Sequence, residues 1–482
     1  MKNKYKLQLS KDYTLNLDIS FLKLRAGYRP GFADMTGIIG RTLWYIFFIF
    51  ILSSHIFYQD QASLAPLFWV YIFSVTLLAF QILRKIVLKG EFLPTVPYDL
   101  ILLTFTTLVA ISLFVNSLDA GEEINIWGGP ILRLYSGLSL ICFWFIYYLT
   151  VINFSSKKHL DKLLTTLSYA PVVAGILNIL AYFQWGEAYW IVMILLLPGW
   201  IILLLSRKSH SWIYLINIIS SLYLFTQHKI AIVSFTIGFT LIAGTLILLF
   251  KNRSNLMGLV RGFDKKTDSF LKRENGIRDL ITDNFEFMYI IFGTLIGVIL
   301  LVWTFWQGDI PLTVYLRDGI DTLTSDQQTI KDLIIGGGLV SYGGSFITQL
   351  IHVYGVLPFV IFLGMFISIS YNLKMFILKS TNNILTGKAL FILLSLLAFS
   401  TYMLLAPAYD LIFVFFWIII ALAGIFDQVH IKKKLFKLSN DLLIFSTEKS
   451  YYKYIQLAAV LFVIVVTVYF LELIFDIVEY LV

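Results

Sequence analysis

All but four of the chain's 37 Lys and Arg residues fall in basic stretches on one side of its apolar runs; Arg133, Lys229, Arg317 and Lys331 fall on the other. Membrane topology selects against cations there, so each needs a reason. One reason is capture of an anion such as a diphosphate, which the planar fork of Arg holds through two parallel charge-assisted hydrogen bonds. The other is pairing with a nearby carboxylate, or a stem laid along apolar surface with its charge in water. Lys331 stands between Asp326 and Asp332 and reads as a loop ion pair. Arg133 follows Glu122 and Glu123 at a helix mouth and fits both readings. Lys229 follows His228 between two apolar runs, where a buried ammonium without a role is costly. For proton transfer, His352 lies in the run Ser345-Phe-Ile-Thr-Gln-Leu-Ile-His352. That spacing puts Ser345 and His352 on one helix face, with Thr348 and Gln349 close by. His352 there is either a base or a hydrogen-bonded packing residue. Asp410, opening another apolar run, is either a helix cap or an acid–base group.

The elements that would position these groups are membrane helices. Of 482 residues, 59% are hydrophobic and only 14% charged, where soluble domains run near 25% charged. Such a chain cannot cover its surface with polar groups, so lipid is the solvent for much of it. Runs of roughly 20 apolar residues occur at Gly37–Tyr58, Leu64–Leu83, Asp99–Ser117, Leu134–Phe154, Leu163–Trp185, Tyr189–Ser206, Trp212–Thr226, Ile230–Phe250, Phe287–Trp306, Phe346–Leu373, Ala389–Ala406, Leu411–Phe426 and Tyr454–Val478. Trp212–Thr226 is the shortest and reads as tilted or re-entrant. The expected fold is all-α, a polytopic integral membrane protein of about 12–14 transmembrane helices with one long external loop.

Loops that alternate from a cytoplasmic N-terminus place every cation but those four inside, as the positive-inside bias requires. Residues 1–36 then form a polar cytoplasmic segment without a signal-peptide core, and 37–482 a single membrane domain. The net charge of +8 thus reflects topology and not nucleic-acid binding. Residues 251–286 form a basic cytoplasmic loop suited to anionic headgroups. Residues 307–345 form an external loop containing Gly336-Gly337-Gly338 and Gly343-Gly344. Loops of that length are usually functional or disordered. The lone Cys142 excludes a disulfide framework. No phosphate-binding GxxxxGK[ST], GxGxxG, HExxH or CxxC motif is present, which argues against an ATP-driven pump or a metalloprotease.

The segment from Arg317 to Met365 resembles the signature region of the O-antigen ligase and polymerase superfamily. Members carry an Arg in a large external loop, then a glycine-rich turn, a polar residue, and a helix with an aromatic-Gly-aliphatic pattern. The corresponding residues are Leu316-Arg317-Asp318, Ile335-Gly336-Gly337-Gly338, Tyr342-Gly343-Gly344-Ser345 and His352-Val353-Tyr354-Gly355-Val356-Leu357-Pro358. Thr226-Gln227-His228-Lys229-Ile230-Ala231 stands where the family carries a Ser-Arg-like pair, with Lys for Arg. The histidine common in ligases would fall near Gly343 or Gly344, and neither can act as a base. The resemblance therefore leans to the Wzy-type repeat-unit polymerases of the bacterial cytoplasmic membrane.

The resemblance implies transfer of a growing glycan from undecaprenyl diphosphate to a lipid-linked repeat unit on the outer face of that membrane. Charge developing on the departing diphosphate needs fixed cations, for which Arg317, Lys229 and Arg133 are available. A base must take the acceptor's proton; His352, Asp318 and Asp410 are the candidates. Ser345, Gln349 and His228 would line the sugar site. No metal or other cofactor is expected; the partners implied are undecaprenyl-diphosphate-linked glycans, a chain-length regulator and a flippase. Three rivals stay open: an O-antigen ligase or other polyprenyl-dependent glycosyltransferase, a lipid-linked oligosaccharide flippase, and a structural or sensory membrane protein. A flippase would need polar residues through the midplane of several helices, where this sequence is nearly all apolar.

Overall fold

The computed structural model describes residues 4–10, 13–18, 32–57, 65–88, 96–119, 137–154, 156–181, 187–206, 211–228, 231–252, 280–281, 283–306, 334, 345–407 and 410–431. Apolar runs satisfy every backbone group internally only as helices when lipid surrounds them, and helices dominate. They are α1 (Phe32–Phe57), α2 (Ala65–Leu88), α3 (Asp99–Asp119), α4 (Gly137–Asn153), α5 (Lys157–Ala181), α6 (Glu187–Leu195), α7 (Leu197–Ser206), α8 (Ser211–His228), α9 (Ala231–Lys251), α10 (Phe285–Trp306), α11 (Phe346–Tyr354), α12 (Val356–Lys379), α13 (Asn383–Leu405) and α14 (Asp410–Phe426). A π-turn, Asp427–Ile431, ends α14. Five described stretches are long and apolar enough to cross a membrane: Ile232–Lys251, Phe285–Trp306, Val356–Lys379, Asn383–Leu405 and Leu411–Ile431. The chain is a multi-pass membrane protein.

The all-α reading has one exception. Lys4–Ser10 (β1) and Tyr13–Asp18 (β2) form an antiparallel hairpin whose register sets Tyr5 against Leu17 and Leu7 against Leu15. These apolar residues share one face, as a period of two requires.

Two expected spans are divided. The run Tyr189–Ser206 forms α6 and α7, which meet at Leu196 without losing the helical ladder: the Leu196 N–H donates to the Val192 carbonyl at 3.2 Å and the Trp200 N–H to the Leu196 carbonyl at 3.0 Å. The run Phe346–Leu373 divides at Gly355, whose φ of 86° lies in the region that only glycine adopts without strain. The weakest expected span is a full 18-residue helix, α8.

Close helix contacts form where side chains are small. A Cβ on Gly238 of α9 would lie 3.1 Å from the Gly297 carbonyl oxygen of α10, and the reverse holds at the same distance. Such mutual approach of backbones is how membrane helices associate without a hydrophobic driving force. Gly387 of α13 faces Ser206 of α7 so tightly that a Cβ would sit 2.1 Å from the hydroxyl oxygen. Around this lies an aromatic core. The Phe413 ring of α14 meets Phe143 of α4 and Phe346 of α11, each at 4.8 Å, and Phe362 of α12 meets Phe416 at 5.8 Å.

Candidate functional site

Of the residues expected to do chemistry, Ser345, Gln349, His352 and Asp410 lie where α11 and α14 begin. Ser345 caps α11: its Oγ accepts from the Thr348 backbone N–H at 3.4 Å, and the Thr348 hydroxyl donates to the Ser345 carbonyl at 2.9 Å. This satisfies donors that a helix start leaves unpaired. The Phe346 N–H donates to the Ala406 carbonyl at 3.1 Å, tying the start of α11 to the end of α13. Since Phe346 packs on Phe413, the first turn of α14, with Asp410 as its first residue, lies beside the Ser345 cap. Tyr71 and Ser139 share a buried hydrogen bond on the neighbouring helices α2 and α4.

A polar stripe runs along α11. Ser345, Thr348 and His352 are buried, and Gln349 is half-buried. At 1.5 Å per residue along the helix, His352 stands about 10 Å from Ser345. Three residues further on, the helix breaks at Gly355, so Tyr354-Gly355-Val356 is an aromatic–turn–aliphatic junction between two helices. A helix interrupted within the membrane leaves backbone groups that a ligand, a water-filled cavity or neighbouring protein must satisfy.

The structure brings Ser345, Gln349 and His352 together on α11 and sets the start of α14 next to them. Arg133, Lys229, Arg317 and Asp318 lie outside the described residues, as does most of the loop 307–345. His228 is the last residue of α8 and Asp410 the first of α14; only their backbones are described. Among the described residues no group of three or more His, Cys, Asp or Glu could hold a metal.

The opposite end carries an ionisable network that patterning alone did not single out. Tyr98, at the start of α3, has a φ of 65°, uncommon for a residue with a side chain. Its hydroxyl accepts from Asn372 Nδ2 of α12 at 3.1 Å and meets Asp427 of the π-turn. Burial first, and then the charge of Asp427, push the Tyr98 hydroxyl well above its ordinary pKa, so it stays protonated. The Tyr147 hydroxyl donates to the Pro97 carbonyl. Lys388, buried near the start of α13, pairs with Asp161 of α5. A strained Tyr and a π-turn often mark functional backbone, and here they meet. The available signals were Asp427 at the end of a long apolar run and Lys388 at the start of another.

Compared with known proteins, the chain matches no family model, no curated protein and no solved structure.

Proposed function

We propose that the chain is a membrane glycan polymerase that moves a growing polysaccharide from undecaprenyl diphosphate to a lipid-linked repeat unit. The observation that carries the reading is the buried His352 on the polar stripe of α11, between the Ser345 cap and the break at Gly355. The donor is already activated by its diphosphate leaving group, so the protein must supply a base and fixed positive charge. His352 takes the proton from the acceptor hydroxyl; Asp410 and Asp318 are the other candidates. Arg317, Lys229 and Arg133 stabilise the charge that grows on the diphosphate as the anomeric bond breaks.

The orientation follows from charge. The starts of α1, α5 and α13 and the ends of α4 and α14 meet through Arg41–Asn153, Lys388–Asp161 and the field of Lys388 and Lys157 at His430. These are the basic stretches that the sequence assigns to one side, and the positive-inside bias makes that side cytoplasmic. The Ser345 end then faces outward in a bacterial cytoplasmic membrane, where lipid-linked repeat units are presented. The full proposal is a body of about 12–14 spans with the loop 307–345 covering the sugars.

One observation favours a second reading. An interrupted helix such as α11/α12 recurs in transporters, whose binding sites are often built at such interruptions. A lipid-linked oligosaccharide flippase would use it so.

Gene deletion with complementation separates the readings on a glycan gel. A polymerase deletion leaves single repeat units and no long chains. A flippase deletion leaves neither, and a ligase deletion accumulates full-length lipid-linked glycan. An Arg317→Ala chain that restores normal long chains removes the diphosphate site from the proposal.

A further inference from the structure

The corner where α1, α4 and α5 meet gathers positive charge in an unfavourable way. α5 opens with Lys157, Lys158 and His159, has no acidic residue in its first turn, and is capped by Ser156, whose Oγ accepts from the His159 N–H at 3.3 Å. A helix start is already partially positive, so cations there are disfavoured. Lys162 follows Lys158 at the four-residue spacing where like charges repel. The first acid of α5, Asp161, is engaged by Lys388. From α1, the Arg41 guanidinium adds its charge, donating to the Asn153 carbonyl at 3.4 Å. Arg41, Lys162 and Lys158 each bring positive charge to His159. Also at this corner, Asn153 is 6% exposed; among the described residues its Oδ1 has no hydrogen-bond partner, and it packs against Gly40, where a Cβ would lie 2.5 Å from it.

Beneath the cations lies an aromatic shelf. Phe154 takes edge-on contacts from Trp44 at 5.2 Å, Tyr45 at 5.7 Å and His159 at 6.5 Å. Of these rings Tyr45 is half-buried, and Trp44 and Phe154 are fully buried. Ile46 and Ile49 of α1 are exposed below that level, at 37% and 63%, and offer an apolar track leading away from Arg41. A phosphate shared by Arg41, Lys158 and Lys162 would relieve each repulsion at once, and the track favours a phosphate that carries a hydrocarbon chain.

We propose that this corner binds the phosphate of an anionic phospholipid from the adjacent leaflet, held by Arg41, Lys158 and Lys162 with its acyl chain along Ile46 and Ile49. The site needs only the membrane setting and is independent of the polymerase reading.

The test is native mass spectrometry of the purified full chain after exchange into mixed phosphatidylglycerol and phosphatidylcholine. Wild type retains phosphatidylglycerol at least about tenfold over phosphatidylcholine. The triple variant Arg41→Gln, Lys158→Gln, Lys162→Gln binds it about a hundredfold more weakly. The double variant Lys374→Gln, Lys379→Gln, two exposed cations on α12, keeps the preference. Absence of preference in wild type overturns the proposal without recourse to any variant. Equal loss in the double variant overturns it too, since diffuse charge would then suffice. Thermal stabilisation by inorganic phosphate equal to that by phosphatidylglycerol would assign the corner to a free anion and overturn the lipid.

Discussion

Helices α10 and α14 have the same mean hydropathy, 2.3, yet 22% of the first is buried in the protein and 83% of the second. Lipid tails are as apolar as a protein core, so hydropathy alone does not say which of the two a helix faces. What separates them is shape. On α14, Phe413, Phe416 and Trp417 interlock with rings from three other helices or from its own turn. On α10 the buried edge is narrow, Phe285 and Tyr289 at one end and then Gly293, Gly297 and Thr304, while Val298, Ile299, Val302, Trp303 and Trp306 line an open apolar groove of about 600 Å³. A helix whose bulky residues point outward is lipid-facing; one whose bulky residues find partners is core.

Substitutions on either side of this divide should differ sharply. The largest effect belongs to Gly387→Leu, which drives a side chain into Ser206 and should cost at least about 3 kcal/mol, read as loss of monodisperse protein in detergent. Gly364→Leu on α12, with open space around its Cβ position, should leave the protein intact by the same measurement. Next, Trp417→Ala removes a ring that is 1% exposed and should cost about 3–5 kcal/mol. Trp306→Ala, at 88% exposure, should stay within about 0.5 kcal/mol; thermal unfolding in detergent compares the two. A smaller effect follows Asp161→Asn, which strands the buried Lys388; about 1–2 kcal/mol is expected, reduced because Asp161 is 45% exposed. Smallest is a pH effect at His159. Burial and then Arg41, Lys162 and Lys158 lower its pKa, so the folded state binds its proton less readily than the unfolded one. Stability from this group is complete above about pH 6.5 and declines as pH falls below it. A pH series of melting temperatures should show a steeper decline in wild type than in His159→Gln.

Much of the body was legible from the residues. Runs of 20 apolar residues in lipid have little choice but helix, and the spacing from Ser345 to His352 put both on one buried face. The break between α11 and α12 was less legible, because Gly355 sits within a long apolar run; only backbone geometry shows that it takes a positive φ. The N-terminal hairpin was hidden by composition: Tyr5, Leu7, Leu15 and Leu17 alternate with polar residues and lower the mean that an apolar-run search looks for. The Tyr98–Asn372–Asp427 network was not legible, since its members come from three helices far apart in sequence. Of the site, the α11 stripe was readable, whereas convergence of charge from distant loops is a property of tertiary structure.

The central claim is that His352 performs proton transfer for glycan elongation. In a strain lacking the gene, glycan chain length should be read after complementation with wild type and with His352→Ala, each checked for equal membrane abundance. Wild type should restore the long-chain ladder, and His352→Ala should leave the single-repeat band with elongation down about 10²–10⁴-fold. A normal ladder from His352→Ala would contradict the account.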